Sequence, residues 1–324
     1  MGRCDLFIIL YAFNTYDSIS VYSNKGGLEA DEIQEKNVIL LVMFLIIGFL
    51  VIMSTRETEE YVKESKKEQP DFAYESLLQD NDGIIVLCYH RVLKDTPITS
   101  FASTISQNSQ LHEYNVFLED FEKQMEFLKE NHISVLTSEQ LISKINKKEV
   151  IGKAVVITFD DIDKSLTENA YPVMKEFDLP FTQFIITGKV GQTIDGSQMS
   201  SWKEIKEMDE NPLVISGLHT NDLHYQENLE PVLSTNISKK VVQKDYLKSQ
   251  KTFQEELNKK GNVFAYPYGA QNKDLENYML KDGISGIFTL SPGVVTNETK
   301  YSNIPRLIVT KENWKTIEHW LVKK

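Results

Sequence analysis

From about Asn81 onward, short apolar runs alternate with amphipathic stretches of helical length. Runs of β type occur at IIVLCYH (84–90), AVVITFD (154–160), FTQFIIT (181–187), LVISGLH (213–219), NVFAYPY (262–268), GIFTL (286–290) and PRLIV (305–309). Between most of them lie segments of helical period. In FLEDFEKQMEFLKEN (117–131), Leu118, Phe121, Met125 and Leu128 fall on one face, with acids and lysines opposite. This alternation predicts parallel βα units. Seven or eight such strands in about 240 residues predict an α/β fold of the distorted (β/α)7-8 barrel kind. The stretch from Asp95 to Asn115 is polar and Ser/Thr-rich without periodicity, and is expected to be a long loop.

The N-terminal part has a different pattern. Val38 to Met53 contains sixteen residues without a charge. As a helix it rises about 24 Å, slightly short of a ~30 Å hydrocarbon core, so it is expected to be a transmembrane helix with help from its flanks. TRETEEYVKESKKE, from Thr55, has nine charges in fourteen residues and no apolar period. These features predict four parts: residues 1–37 without a functional signal, a membrane helix at 38–53, a charged linker at 54–80, and a folded domain at 81–324. Lys25 and Lys36 precede the apolar segment, whereas Arg56, Lys63, Lys66 and Lys67 follow it. By the positive-inside rule this bias favours a cytoplasmic C-terminal domain.

The net charge of −12 and the lack of a long basic cluster exclude a nucleic-acid partner and disfavour an acidic polymer as substrate. Cys4 and Cys88 stand on opposite sides of the apolar segment and make neither a disulfide framework nor a metal knuckle. No G-x-S-x-G elbow occurs, which speaks against serine hydrolysis. Cys88, in an apolar run, is expected to be an inert core thiol.

Chemistry-bearing residues collect where the apolar runs end. One run delivers His90, a second Asp160 and Asp161, a third His219 and then His224, and a fourth Tyr266, Pro267, Tyr268 and Gly269. In α/β barrels the C-terminal strand ends form the active-site rim. Two histidines and a carboxylate from a neighbouring strand can share one ion and leave positions open for water and substrate, as hydrolytic Zn²⁺ sites do. Taken alone, the five-residue spacing of His219 and His224 fits one core histidine and one loop histidine better than a shared ion.

In combination, TFDD, HTNDLH and AYPYG, preceded by YHRV, resemble the polysaccharide deacetylases of carbohydrate esterase family 4. They are most similar to its branch acting on the biofilm polymer poly-β-1,6-N-acetyl-D-glucosamine. The resemblance covers about residues 84 to 310 and implies a circularly permuted deacetylase barrel, with the acid histidine moved to the N-terminal side. It implies that Asp161, His219 and His224 hold a divalent metal, Zn²⁺ or else Co²⁺ or Ni²⁺. Asp160 would be the general base for the attacking water and His90 the acid that protonates the departing nitrogen. The turn Tyr266–Gly269 would bind substrate, a backbone N–H near Tyr268 holding the oxyanion. An N-acetylglucosamine polysaccharide is then the substrate, with a membrane polysaccharide synthase as a possible partner. A tethered domain facing the cell exterior follows from the exported polymer, against the charge bias noted above. The other readings are the same chemistry on peptidoglycan or chitin-like chains, and a non-catalytic glycan-binding module.

The chain departs from the wider family at two places. Ile162 and Asp163 follow the paired aspartates where many members have Gly and an aromatic residue, and Ala265 stands where the family carries an Arg that orients the base. Arg306 in IPRLIV is a candidate for the missing charge, and Asp163 a candidate supporting group. His112, His132 and His319 match no motif; His132 is expected at a helix end and the other two on the surface.

Overall fold

The computed structural model describes Val42 and residues 74–79, 82–95, 114–194 and 196–323. The chain divides into two compact units, Met1–Pro70 and Asp71–Lys324, and all described residues except Val42 lie in the second. Apart from Val42, the expected membrane helix Val38–Met53 lies outside the described residues, as do residues 96–113 of the polar loop, including His112. Among the described residues no helix is long and apolar enough to cross a membrane.

The second unit is built on an eight-stranded, wholly parallel sheet. Its strands are β1 (Gly83–Tyr89), β2 (Ser134–Leu136), β3 (Lys153–Phe159), β4 (Phe181–Ile185), β5 (Val214–Leu218), β6 (Val263–Ala265), β7 (Gly286–Phe288) and β8 (Leu307–Ile308). The order is β7-β6-β5-β4-β3-β1-β8, with β2 paired to the first half of β3. Just before β8, Ile304 bridges to Phe288 of β7, so one short segment links the two sheet edges. Every predicted apolar run supplies a strand. Only β2, three residues long, was too brief to stand out.

Alternate residues of the strands enter two cores, which explains why the runs are apolar without interruption. Ile84, Val86, Ala154, Val156, Val263 and Ala265 share one cluster with Leu141, Ile142 and Ile145. Ile85, Leu87, Tyr89, Val155, Ile157 and Phe159 belong to the other cluster, together with most helix core residues. The helices are α1 (Leu118–Glu130), α2 (Ser138–Lys147), α3 (Tyr171–Glu176), α4 (Trp202–Asp209), α5 (Lys239–Leu257), α6 (Lys273–Asp282) and α7 (Trp314–Val322). On α1 the buried side chains are Phe121, Gln124, Met125 and Leu128; of the stripe predicted by its period Leu118 is only partly buried, and Gln124 is added. That glutamine is retained because its Oε1 accepts the buried Tyr89 hydroxyl at 2.8 Å. Thr137 and Gln140 close a capping box at the start of α2, a device contributing about 1 kcal/mol.

The expected linker boundary shifts towards the N-terminus. Tyr74 and Leu78, placed in the linker by their charged surroundings, are core residues of the domain. The Tyr74 hydroxyl donates to the carbonyl of Ile308 in β8 at 3.2 Å, so the end of the linker is fastened to the sheet.

Candidate active site

The parallel register aligns the chemistry. Tyr89 of β1 pairs with Phe159 of β3, so the next residues, His90 and Asp160, emerge side by side. The ladder continues one step past the strands, with Asp160 N–H donating to Tyr89 O at 3.0 Å and His219 N–H to Ile185 O at 2.9 Å. Beyond this step the backbone turns sharply. Asp161 (φ 68°), Ile162 (φ 62°), Thr220 (φ 67°) and Tyr268 (φ 55°) all occupy the left-handed region. For the β-branched Ile162 and Thr220 this conformation is rare and costly. Ile162 nevertheless takes the turn that a glycine would take freely, because its side chain is buried in the main core.

Asp161 Oδ1 lies 3.0 Å from His224 Nε2 and 3.4 Å from His219 Nε2. One donor atom from each of the three residues falls within 4.8 Å of the others. The His219 Nδ1 lies 2.8 Å from the Ala265 carbonyl. A carbonyl only accepts, so Nδ1 carries the proton and Nε2 presents a lone pair towards the Asp161 oxygen. Asp161 Oδ1 is itself buried without a hydrogen-bond partner. Two lone pairs facing each other in a buried site are repulsive unless a cation joins them, so this donor set fits a divalent metal. Burial alone would raise the Asp161 carboxyl, but the charge of His224 beside it holds it well below the usual carboxylate range.

Asp160 has a different partner. Arg306, fully buried, donates from its two terminal nitrogens to Oδ1 and Oδ2 of Asp160, both at 2.7 Å. The guanidinium is fixed by further bonds to Thr289 O (3.0 Å) and Thr158 Oγ1 (3.2 Å), and it lies 5.5 Å from the Phe184 ring centre. Thus the charge absent at Ala265 reaches the carboxylate from the segment before β8. Burial alone would raise Asp160; the Arg306 guanidinium more than offsets this and keeps the group ionised. Cys88, His90 and Asp160 form a second cluster within ligand distance. There the bidentate guanidinium occupies the carboxylate and its charge opposes a cation. Cys88 therefore departs from the expected apolar setting, its Sγ lying 3.7 Å from Asp160 Oδ2, while burial raises its thiol well above the usual range and keeps it protonated.

His90 stands beside this pair and packs against Tyr114, the two tilted rings 4.7 Å apart between centres. Its Nδ1 is buried without a partner, and burial lowers its pKa. A cleft opens between His90, Arg91, Tyr114, Asn115, Asp161, His224, Tyr268 and Leu290.

Of the four residues expected to bind substrate in the Tyr266–Gly269 turn, only Tyr268 lines the cleft, its ring 4.6 Å from that of His224. Tyr266 turns into the core against Phe264, its hydroxyl donating to Asn272 O at 3.4 Å. Pro267 is buried, and Gly269 serves the turn with φ 69°. Two contributors were not singled out in the sequence. Asp245 of α5 accepts the backbone N–H of Asn221 (2.9 Å) and Asp222 (2.7 Å), clamping the loop between the two histidines. Arg91 pairs through Nε with Asp163 Oδ2 at 3.3 Å, which gives Asp163 its partner. Asp245 lies in no motif, and Arg91, although inside YHRV, acts through Asp163, a contact distant in sequence. His132 lies just past α1 with φ 53°, and His319 is exposed on α7; both are remote from the chemistry.

Known proteins share this architecture. Residues 147–287 match the polysaccharide deacetylase family model. The poly-beta-1,6-N-acetyl-D-glucosamine N-deacetylase of Staphylococcus epidermidis is 30% identical over 282 residues, covering 86% of this chain and 96% of that protein. The structure of IcaB from Ammonifex degensii superposes with a TM-score of 0.66 at 30% identity, over 75% of this chain and 98% of that one. The Streptococcus pyogenes deacetylase PplD, solved in complex with acetate, shares the fold at 21% identity with a TM-score of 0.60 over 72% of this chain and 97% of that one. With its paired aspartates, two histidines and buried arginine gathered at one rim of a parallel sheet, the chain belongs to the polysaccharide deacetylase family and is a deacetylase enzyme.

Proposed function

We propose that the protein removes N-acetyl groups from an extracellular poly-β-1,6-N-acetyl-D-glucosamine, releasing acetate and leaving free amines. The observation that carries this reading is the division of labour between adjacent carboxylates. Asp161 faces two imidazole nitrogens, whereas Asp160 is held by Arg306. The polymer linkage follows the name of the Staphylococcus relative. Asp161, His219 and His224 would hold a divalent cation, with Zn²⁺, Co²⁺ and Ni²⁺ all suited to a His₂-carboxylate set. When bound, it supplies Lewis-acid chemistry to the acetamide carbonyl and the attacking water.

The chain's own groups carry the protons. Asp160, kept ionised by Arg306, accepts the proton of the attacking water, and His90 donates to the departing nitrogen. Their adjacent placement at the ends of β1 and β3 puts base and acid side by side, with His90 in the cleft wall. Tyr268 covers His224 and bounds the cleft on the opposite strand end. The polymer is met outside the cell, so the domain is tethered on the outer face, with Val38–Met53 as anchor and a polysaccharide synthase as a membrane neighbour. Acetate release by the full-length protein from β-1,6, peptidoglycan and chitin-type oligomers tests the substrate. Preference for the β-1,6 oligomer supports the proposal, and activity confined to another chain overturns it.

A further inference from the structure

Arg91 follows His90 directly, yet nothing in the proton chemistry above uses it. The short strand Arg91–Leu93 pairs in parallel with Asn115–Phe117, Arg91 standing opposite Asn115. Both residues line the cleft beside Asp161, His224 and Tyr268. The segment just after the paired aspartates grips this strand. Asp163 Oδ1 accepts from Ser165 N–H (2.9 Å) and Ser165 Oγ (2.6 Å), and Ser165 Oγ accepts from Val92 N–H (3.0 Å). Asn169 Nδ2 donates to Val92 O at 2.7 Å. From the other side, Ser200 Oγ donates to the Asp163 carbonyl at 3.0 Å. The Arg91 Nε is taken by Asp163 at 3.3 Å. Among the described residues no hydrogen bond engages its two terminal nitrogens, although the side chain is only 22% exposed. A guanidinium so fixed, with terminal donors unassigned in a cleft wall, is arranged to bind a ligand oxygen rather than to stabilise the fold.

We infer that Arg91 is a substrate-anchoring residue whose terminal N–H groups bind oxygen acceptors of the sugar unit next to the one that reacts, with Asp163 as the positioning residue that aims it. The inference rests on the deacetylase reading and adds a selectivity to it. A neighbouring unit that keeps its acetyl group offers neutral acceptor oxygens. One that has lost it carries an ammonium, which a fixed positive charge repels. Arg91 therefore favours sites whose neighbours are still acetylated.

The test compares two β-1,6 oligomers, one fully N-acetylated and one with a glucosamine beside the reacting unit, using the full-length protein. Wild type should prefer the acetylated oligomer by about tenfold in kcat/KM, the scale of one charge-assisted hydrogen bond. Arg91→Gln should raise KM on that oligomer about tenfold, lower kcat much less, and compress the preference to near unity. Arg91→Lys, which keeps the charge without the fork, should retain the preference while KM stays high. Asp163→Asn should raise KM by a smaller factor and leave the preference intact. A KM and preference within twofold of wild type in Arg91→Gln would overturn the inference. If wild type cleaves neither oligomer, the deacetylase reading fails by itself. Titration of the acetylated oligomer into metal-free protein then still reads Arg91: about tenfold weaker binding in Arg91→Gln supports it, and equal binding refutes it.

Discussion

Replacing Arg306 by Met removes the charge while keeping much of the side-chain volume. The substitution deletes both 2.7 Å bonds to Asp160 and the bonds to Thr289 O and Thr158 Oγ1, in a site with no solvent exposure. Breaking a buried ion pair from one side leaves an uncompensated charge and costs about 3–5 kcal/mol. For a domain of this size that corresponds to a melting temperature lower by roughly 10 °C. The loss depends on pH with a definite sign. In wild type the folded pKa of Asp160 lies below its ordinary value, so its contribution is present above the unfolded pKa of about 4 and fades as pH falls through the folded one. In Arg306→Met burial is no longer offset by the guanidinium and pushes the same carboxyl up, so the penalty for charging it grows as pH rises. The stability gap between the proteins is therefore larger at pH 7 than at pH 4.5. Urea unfolding of the metal-free proteins at both pH values measures it. The double variant Asp160→Asn with Arg306→Met, which removes the stranded charge, should recover about 2 kcal/mol relative to the single one. A gap below about 1 kcal/mol at pH 7, unchanged at pH 4.5, would refute the reasoning that Arg306 is what keeps Asp160 ionised in the core.

Three further outcomes are expected. Asp245→Ala should weaken divalent-metal binding about 10- to 100-fold in a chelator-competition titration, because the loop carrying His224 loses the carboxylate that holds Asn221 and Asp222; unchanged affinity would mean the loop holds itself. Ile162→Gly should be more stable than Ile162→Ala by about 1 kcal/mol in thermal unfolding, reversing the usual order, because the left-handed backbone there strains any side chain and suits glycine. Both should be less stable than wild type, since Ile162 is a core residue and its truncation costs about 2–5 kcal/mol. His90→Ala should lower kcat by about 10²–10⁴-fold with little change in metal content, consistent with a proton donor and not a ligand; loss of metal from this variant would contradict the assignment.

Much of this molecule was legible from periodicity. The apolar runs mark strands because parallel strands buried on both faces leave no polar alternation to obscure them, and His90, Asp160, Asp161, His219 and His224 were exposed as candidates by ending those runs. What escaped was set by register and by distant contacts. Arg306 reaches Asp160 from 146 residues away, so IPRLIV alone could suggest a charge but not its target. Asp245 sits in a helix whose other charges are mostly exposed, and only the fold shows it turned towards the histidine loop. Tyr266 and Tyr268 are two apart in the same short turn, yet the left-handed backbone at Tyr268 sends one ring to His224 and leaves the other in the core. The departure IDKS, which a motif comparison presents as a gap, is a support: Ile162 packs beneath the turn, and Asp163 with Ser165 secures the strand bearing Arg91.

The most direct test of the central claim is acetate release by the full-length protein from a defined β-1,6-linked N-acetylglucosamine oligomer, with and without a chelator. Release that stops on chelation, returns with added Zn²⁺, Co²⁺ or Ni²⁺, and is absent in Asp160→Asn despite intact metal binding is the expected result. Release that persists in the metal-free protein, or a metal-loaded and folded protein that releases no acetate from this oligomer, would contradict it.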